Sequence, residues 1–128
     1  MYIIIDTSAI IAVIGNEQGK EEIIYKTEGM SLYAPPSVHW EIGNAFSAML
    51  RRSRTNLQTA TGALEIYRQI PIKYIDVSLS KSLEISDKFN IYAYDAYLIQ
   101  CALQPTSPLI TLDKGLKGVA NQLGINTL

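Results

Sequence analysis

Short, unbroken runs of apolar residues, each followed by a segment with helical spacing, restrict the fold of this chain more than any other feature. Tyr2-Ile3-Ile4-Ile5 is continuous rather than alternating, so a strand there has to be covered on both faces. Such strands belong to parallel sheets flanked by helices. Leu32-Tyr33-Ala34, Lys73 to Val77, Leu109 to Leu112 and a short stretch from Ile125 onward read as further strands. Helices are expected over Thr7 to Ile14 and Lys20 to Glu28, with stops at Gly15-Asn16 and Gly29. The clearest helix follows Pro35-Pro36-Ser37, where Ile42, Ala45, Phe46, Met49 and Leu50 form one apolar stripe. Thr55 and Gln58 have the spacing of a capping box for a helix reaching Gln69. Leu79 to Phe89, Tyr94 to Leu103 and a segment carrying Leu116, Val119, Ala120 and Leu123, ended by Gly124, complete the helices. Strands alternating with helices predict an α/β/α sandwich of three layers around a mostly parallel sheet of four or five strands, one domain over residues 1–128.

A chain of 128 residues is large enough for a hydrophobic core without staples. Its net charge of −1 excludes a global electrostatic grip on nucleic acid, so any such grip must be local. The single Cys101 cannot close an internal disulfide, which fits a reducing cytoplasm. No apolar run approaches the ~18 residues of a membrane span. Asp6 interrupts the first apolar stretch, and no basic region precedes it, unlike a signal peptide. The expectation is a cytoplasmic globular protein with no membrane association.

Four acids stand in telling places. Asp6 follows the first strand and Asp113 follows Leu109-Ile110-Thr111-Leu112; open parallel sheets carry their chemistry beyond these strand ends. Glu41 lies in the first turns of the long helix, and Asp95 opens the buried one. Each has an ordinary explanation: aspartate caps a helix well, and the helix dipole favours acids near the amino end. Their company is more specific. Glu41 and Asn44, three apart in PSVHWEIGNAF, are neighbours on one helix surface. Thr111 precedes Asp113 by two, so both face one side of an extended strand.

Taken in order, IIIDTSAII, PSVHWEIGNAF, YDAYLIQCA and LITLDKGL resemble the PIN-domain family, most of all its VapC-type toxins. The resemblance implies a PIN-like fold and a nuclease that binds metal through Asp6, Glu41, Asp95 and Asp113, supported by Ser8, Asn44 and Thr111. It also implies a homodimer restrained by a VapB-type antitoxin, whose peptide segment often presents a basic residue to the acids. After Asp95 the chain departs from the family, with Leu98 where an aromatic is common and Tyr97 one place earlier.

Crowded carboxylates repel and stay partly protonated unless positive charge intervenes. Oxygen ligands without histidine or cysteine favour Mg²⁺ or Mn²⁺ over zinc. Such ions assist hydrolysis of phosphodiesters, and the toxin resemblance makes RNA the substrate, cleaved to leave a 5′ phosphate. Cellular RNA processing, a DNA substrate, or a non-catalytic module on the same fold are the alternatives. Arg51, Arg52, Arg54, Lys114 and Lys117 are candidates for phosphate contact, or for helix-end and solvated roles. His39 suits packing or hydrogen bonding near its helix start better than lone acid–base catalysis, and Cys101 suits the core. Tyr92, Tyr94 and Tyr97 fit either base stacking or ordinary packing, and Asp76 and Asp87 fit loop and surface roles.

Overall fold

A computed structural model describes residues 1–128. Four strands, β1 (Tyr2–Ile5), β2 (Ser31–Ala34), β3 (Ile72–Tyr74) and β4 (Leu109–Ile110), form one parallel sheet in the order β3-β2-β1-β4. Six helices connect them and a seventh follows β4: α1 (Thr7–Ile14), α2 (Lys20–Thr27), α3 (Ser37–Arg51), α4 (Leu57–Gln69), α5 (Leu79–Phe89), α6 (Ala93–Leu103) and α7 (Lys114–Gln122). The chain moves outward from β1 through β2 to β3, then returns to place β4 on the other side of β1. Right-handed crossovers therefore put α1–α4 on one face and α5–α6 on the other. The packing agrees, since α1 lies on α2, α3 and α4, while α6 lies on β1, α5 and α7. This is the three-layer α/β/α arrangement that the alternation of strands and helices implies.

Burial on both faces explains the unbroken apolar run of β1. Ile3 and Ile4 are fully buried, and Ile10, Ile99 and Leu109 close around them from α1, α6 and β4. Between β1 and β4 the connections leave in opposite directions, which opens a crevice at the carboxyl ends of these strands. Asp6 and Asp113 sit at that crevice.

Two strands are shorter than the sequence suggests, and the causes are local. β3 stops at Tyr74 rather than Val77 because its neighbour β2 runs into Pro35-Pro36, which carry no N–H for the ladder. The last backbone bond there runs from Ile75 N to Ala34 O at 2.9 Å. β4 stops at Ile110 rather than Leu112 because side chains take over the next backbone groups. Leu112 N donates to Ser8 Oγ at 3.0 Å, and Asp113 N to Thr111 Oγ1 at 3.0 Å. The expected final strand is reduced to a single parallel bridge between Leu109 and Thr127. Capping of α4 falls to Asn56, whose side chain accepts from Thr59 N at 2.8 Å, so no Thr55–Gln58 box forms. Gly29 and Gly124 adopt left-handed φ of 74° and 77°, which turns the chain after α2 and α7.

Truncating the centre of this core should be costly. Ile4→Ala is expected to lower unfolding free energy by about 2–5 kcal/mol. Leu57→Ala, at a 71 % exposed position, should change it by no more than about 0.5 kcal/mol. Urea denaturation of both variants checks this; equal effects would contradict the assignment of the core.

Candidate active site

All four acids singled out by the sequence line one cavity of about 500 Å³ at the crevice between β1 and β4. Asp6 arrives on the end of β1, Glu41 on α3, Asp95 on the first turn of α6 and Asp113 at the start of α7. Ser8 lines the same cavity, with Ile11 and Leu98 as apolar wall. Leu98, where the family often has an aromatic, is thus part of the cleft.

Asp6 is only 3 % exposed, and hydrogen bonds hold both its oxygens. Oδ1 accepts from Ala9 N at 2.9 Å and from Ser8 Oγ at 2.8 Å, while Oδ2 accepts from Thr111 Oγ1. The first of these bonds is the α1 cap, so the capping role is real and coexists with the cleft role. A carboxylate offers about four lone-pair sites, and three donors use three of them. One acceptor site remains. Ser8 also receives the Leu112 amide, and Thr111, itself 1 % exposed, receives that of Asp113. These two hydroxyls therefore tie the ends of β1 and β4 together behind the acids.

The other three acids are less engaged. Glu41 Oε1 accepts from Thr7 Oγ1 at 2.9 Å, leaving Oε2 free. Asp113 Oδ1 caps α7 by accepting from Leu116 N at 3.1 Å, leaving Oδ2 free. Asp95 is no cap: Tyr92 occupies the N-cap position, and the Asp95 carboxylate accepts no hydrogen bond from the protein. The ordinary capping account thus holds for Asp6 and Asp113 and fails for Asp95.

Electrostatics follow from this crowding. Burial, reinforced by Asp113 and opposed by its hydrogen bonds, raises the Asp6 carboxyl above the usual range. Burial raises Glu41 as well, opposed by Thr7 and reinforced by Asp95 and Asp6. Asp95 is raised by burial and by the charge of Asp113. No lysine, arginine or histidine lines the cavity. The cleft is a set of oxygen acceptors without a cation, which is the donor set for a hard divalent ion. No three of its acids close tightly enough to hold one ion directly between them. They suit an ion that keeps much of its water and takes one or two carboxylates, as Mg²⁺ commonly does.

The remaining candidates separate. Asn44 is exposed, makes no side-chain hydrogen bond, and lines an adjoining cavity with Glu41 rather than the acid cleft. Arg51, Arg52 and Arg54 are exposed beyond the far end of α3, with Arg52 about 16 Å along the axis from Glu41. Lys114 is exposed beside Asp113, and Lys117 lies toward Glu22, whose carboxyl is lowered chiefly by Lys26 and only slightly by Lys117. None of the five basic residues reaches the cleft. His39 Nδ1 meets Tyr67 Oη at 2.9 Å, consistent with a packing role. Burial pushes the Cys101 thiol up to about 12, which removes it as a nucleophile. Two participants escape the sequence reading. Thr7 orients Glu41, and Glu17, in the turn after α1, adds a fifth acid to the cavity wall.

Fold and site together define an α/β domain with an acidic cleft at its sheet crevice. The PIN-domain family model matches residues 3–122, and the chain belongs to that family, whose members are nucleases that generally use divalent metal ions. Its fold is similar to PAE2754 from Pyrobaculum aerophilum, with a TM-score of 0.75 at 20 % identity over 99 % of this chain and 83 % of that one. It is similar also to VapC20 of Mycobacterium tuberculosis, a toxin that cleaves the sarcin–ricin loop: TM-score 0.63, 13 % identity, 91 % of this chain and 93 % of that one. The toxin–antitoxin protein VapBC2 from Rickettsia felis, solved on a DNA fragment from its promoter, matches with a TM-score of 0.64 at 14 % identity over 100 % and 98 % of the two chains. A comparison with curated protein sequences finds no match.

A pH dependence follows from the raised carboxyls. Without metal, the folded chain holds more protons than the unfolded one once pH passes the ordinary values of 3.8 and 4.5. Stability from this cluster therefore falls as pH climbs through the raised values. Urea midpoints in EDTA should decline as pH rises above the ordinary values of 3.8 and 4.5, and Asp95→Asn should flatten the decline. An identical slope in the variant would contradict the coupling.

Proposed function

We propose that this chain is a divalent-metal-dependent endoribonuclease acting as the toxin of a type II toxin–antitoxin pair. The observation that carries the reading is the cleft itself: four acids on four separate elements, several oxygens free, and no protein cation among them. Repulsion of that kind disfavours folding unless positive charge is to be bound there. In this reading the metal ligands are Asp6, Asp95, Asp113 and Glu41, directly or through water, and the ion is Mg²⁺ or Mn²⁺. When bound, it supplies a water nucleophile active at neutral pH and charge against the phosphodiester.

Each residue then has a task set by its own surroundings. Asp6 is the fixed anchor, because three hydrogen bonds hold its orientation. Asp95, from α6, and Asp113, from the start of α7, present free oxygens to the same cavity. Glu41 is held through Oε1 by Thr7, which leaves Oε2 free to position a water in the cleft. Ser8 and Thr111 keep Asp6 oriented from behind. The product carries a 5′ phosphate.

The toxin assignment draws on the likeness to VapC20 and VapBC2, and brings with it an antitoxin partner, a homodimer and a cytoplasmic location. No helix here is long and apolar enough to cross a membrane. An antitoxin segment that offers a cation to the cleft would complement the acids as a metal does.

Purified protein is expected to cleave single-stranded RNA with Mg²⁺ or Mn²⁺ and to lose cleavage in EDTA. Asp6→Asn should reduce the rate by at least about a hundredfold, and Thr111→Val by about 10–100-fold. Persistent cleavage in EDTA or by Asp6→Asn would reject the reading. Expression should arrest growth, and co-expression of the adjacent antitoxin gene should relieve the arrest.

A further inference from the structure

Beside the acid cleft lies a second cavity of about 530 Å³, within the size range of small-ligand sites, lined by Thr7, Trp40, Glu41, Asn44, Ala45 and Tyr94. It shares Thr7, Glu41 and Ala45 with the cleft, so the two are continuous. Two large aromatics face solvent here, from different helices: Trp40 is 75 % exposed and Tyr94 57 %. Exposed aromatic surface grouped at a cavity marks a binding site.

Both rings are braced from behind. Trp40 meets His39 edge-on, with centroids 4.8 Å apart and planes at 79°. His39 is in turn held by Tyr67 at 2.9 Å, and Tyr67 bonds to Tyr74. Tyr94 meets Tyr97 edge-on at 5.9 Å and 87°. Neighbouring Asn44 has an unengaged side-chain amide, with two donors and one acceptor to offer. No basic residue lines the cavity, so phosphate is not its ligand. Flat, uncharged faces with a polar reader beside them suit a nucleobase.

We propose that Trp40 and Tyr94 form a base-stacking subsite that receives one nucleobase of single-stranded RNA beside the scissile phosphate, with Asn44 contacting the base edge. The proposal rests on the nuclease reading for its substrate class. It gives the chain a grip on RNA through bases, which its near-neutral charge and distant arginines do not supply. A duplex cannot enter, because its bases are already stacked and paired.

Trp40 is the only tryptophan, so its fluorescence reports on this site alone. The whole chain is rapidly mixed with Mn²⁺ and a short end-labelled single-stranded RNA. Trp40 fluorescence and RNA anisotropy are read before turnover, and KM and kcat afterwards. Single-stranded RNA should quench Trp40, whereas the same RNA annealed to its complement should not. Trp40→Ala should weaken binding about five- to a hundredfold, raising KM with kcat little changed, and Trp40→Phe should recover most of the loss. An abasic residue next to the cleavage point should weaken binding to the native chain and not to Trp40→Ala. Unchanged binding in both Trp40→Ala and Tyr94→Ala overturns the subsite, as does a Trp40 signal that follows protein concentration without RNA and so reports contact between two copies. The two readings fail separately. Normal cleavage without this signature rejects the subsite, whereas the signature without cleavage rejects the nuclease.

Discussion

Negative charge gathered at the end of a buried strand is the constraint on which the rest of this structure depends. Asp6 leaves β1 at 3 % exposure, where a carboxylate loses most of its hydration. The Ala9 amide and the hydroxyls of Ser8 and Thr111 replace that hydration. Burial first, and the charge of neighbouring acids second, raise the carboxyls of Asp6, Glu41 and Asp95 beyond what these hydrogen bonds offset. A crevice of this kind is unfavourable by itself and becomes favourable with a cation. On the proposed reading, function and local instability share one origin.

The scaffold absorbs this load by stopping its ladders early. Pro35-Pro36 ends pairing between β2 and β3 and starts α3, which brings Glu41 round to the crevice one turn later. On the other side, Ser8 and Thr111 capture the Leu112 and Asp113 amides, so β4 ends at Ile110 and Asp113 turns into α7. The same hydroxyls that orient Asp6 therefore shape the backbone that delivers Asp113. Two helix caps, at Asp6 and Asp113, are part of the site rather than separate from it.

Much of this was legible in the residues. The unbroken Tyr2–Ile5 run predicts a doubly covered strand because only burial on both faces suits it, and the strand–helix alternation predicts the layers. The four acids were legible through their positions after strands and at helix starts. What escaped was contact at long sequence separation. Nothing local links Thr7 to Glu41, thirty-four residues away, or puts Glu17 on the cleft wall. Strand ends escaped as well, because Lys73 to Val77 keeps its strand pattern after its neighbour has lost its N–H groups. Asn56 displaces Thr55 as a cap for a similarly small reason, one residue of register. Trp40 is turned outward by its helix, where it lines a cavity with Tyr94, fifty-four residues on, and no local pattern joins the two.

Calorimetric titration of Mn²⁺ into the metal-free chain tests the central claim most directly, because it measures cation binding without reference to substrate. Saturable binding by the native chain, strongly weakened in Asp6→Asn and in Asp95→Asn with the fold intact, is the result this account predicts. Binding of equal strength in the native chain and both variants would place the cation elsewhere and contradict it.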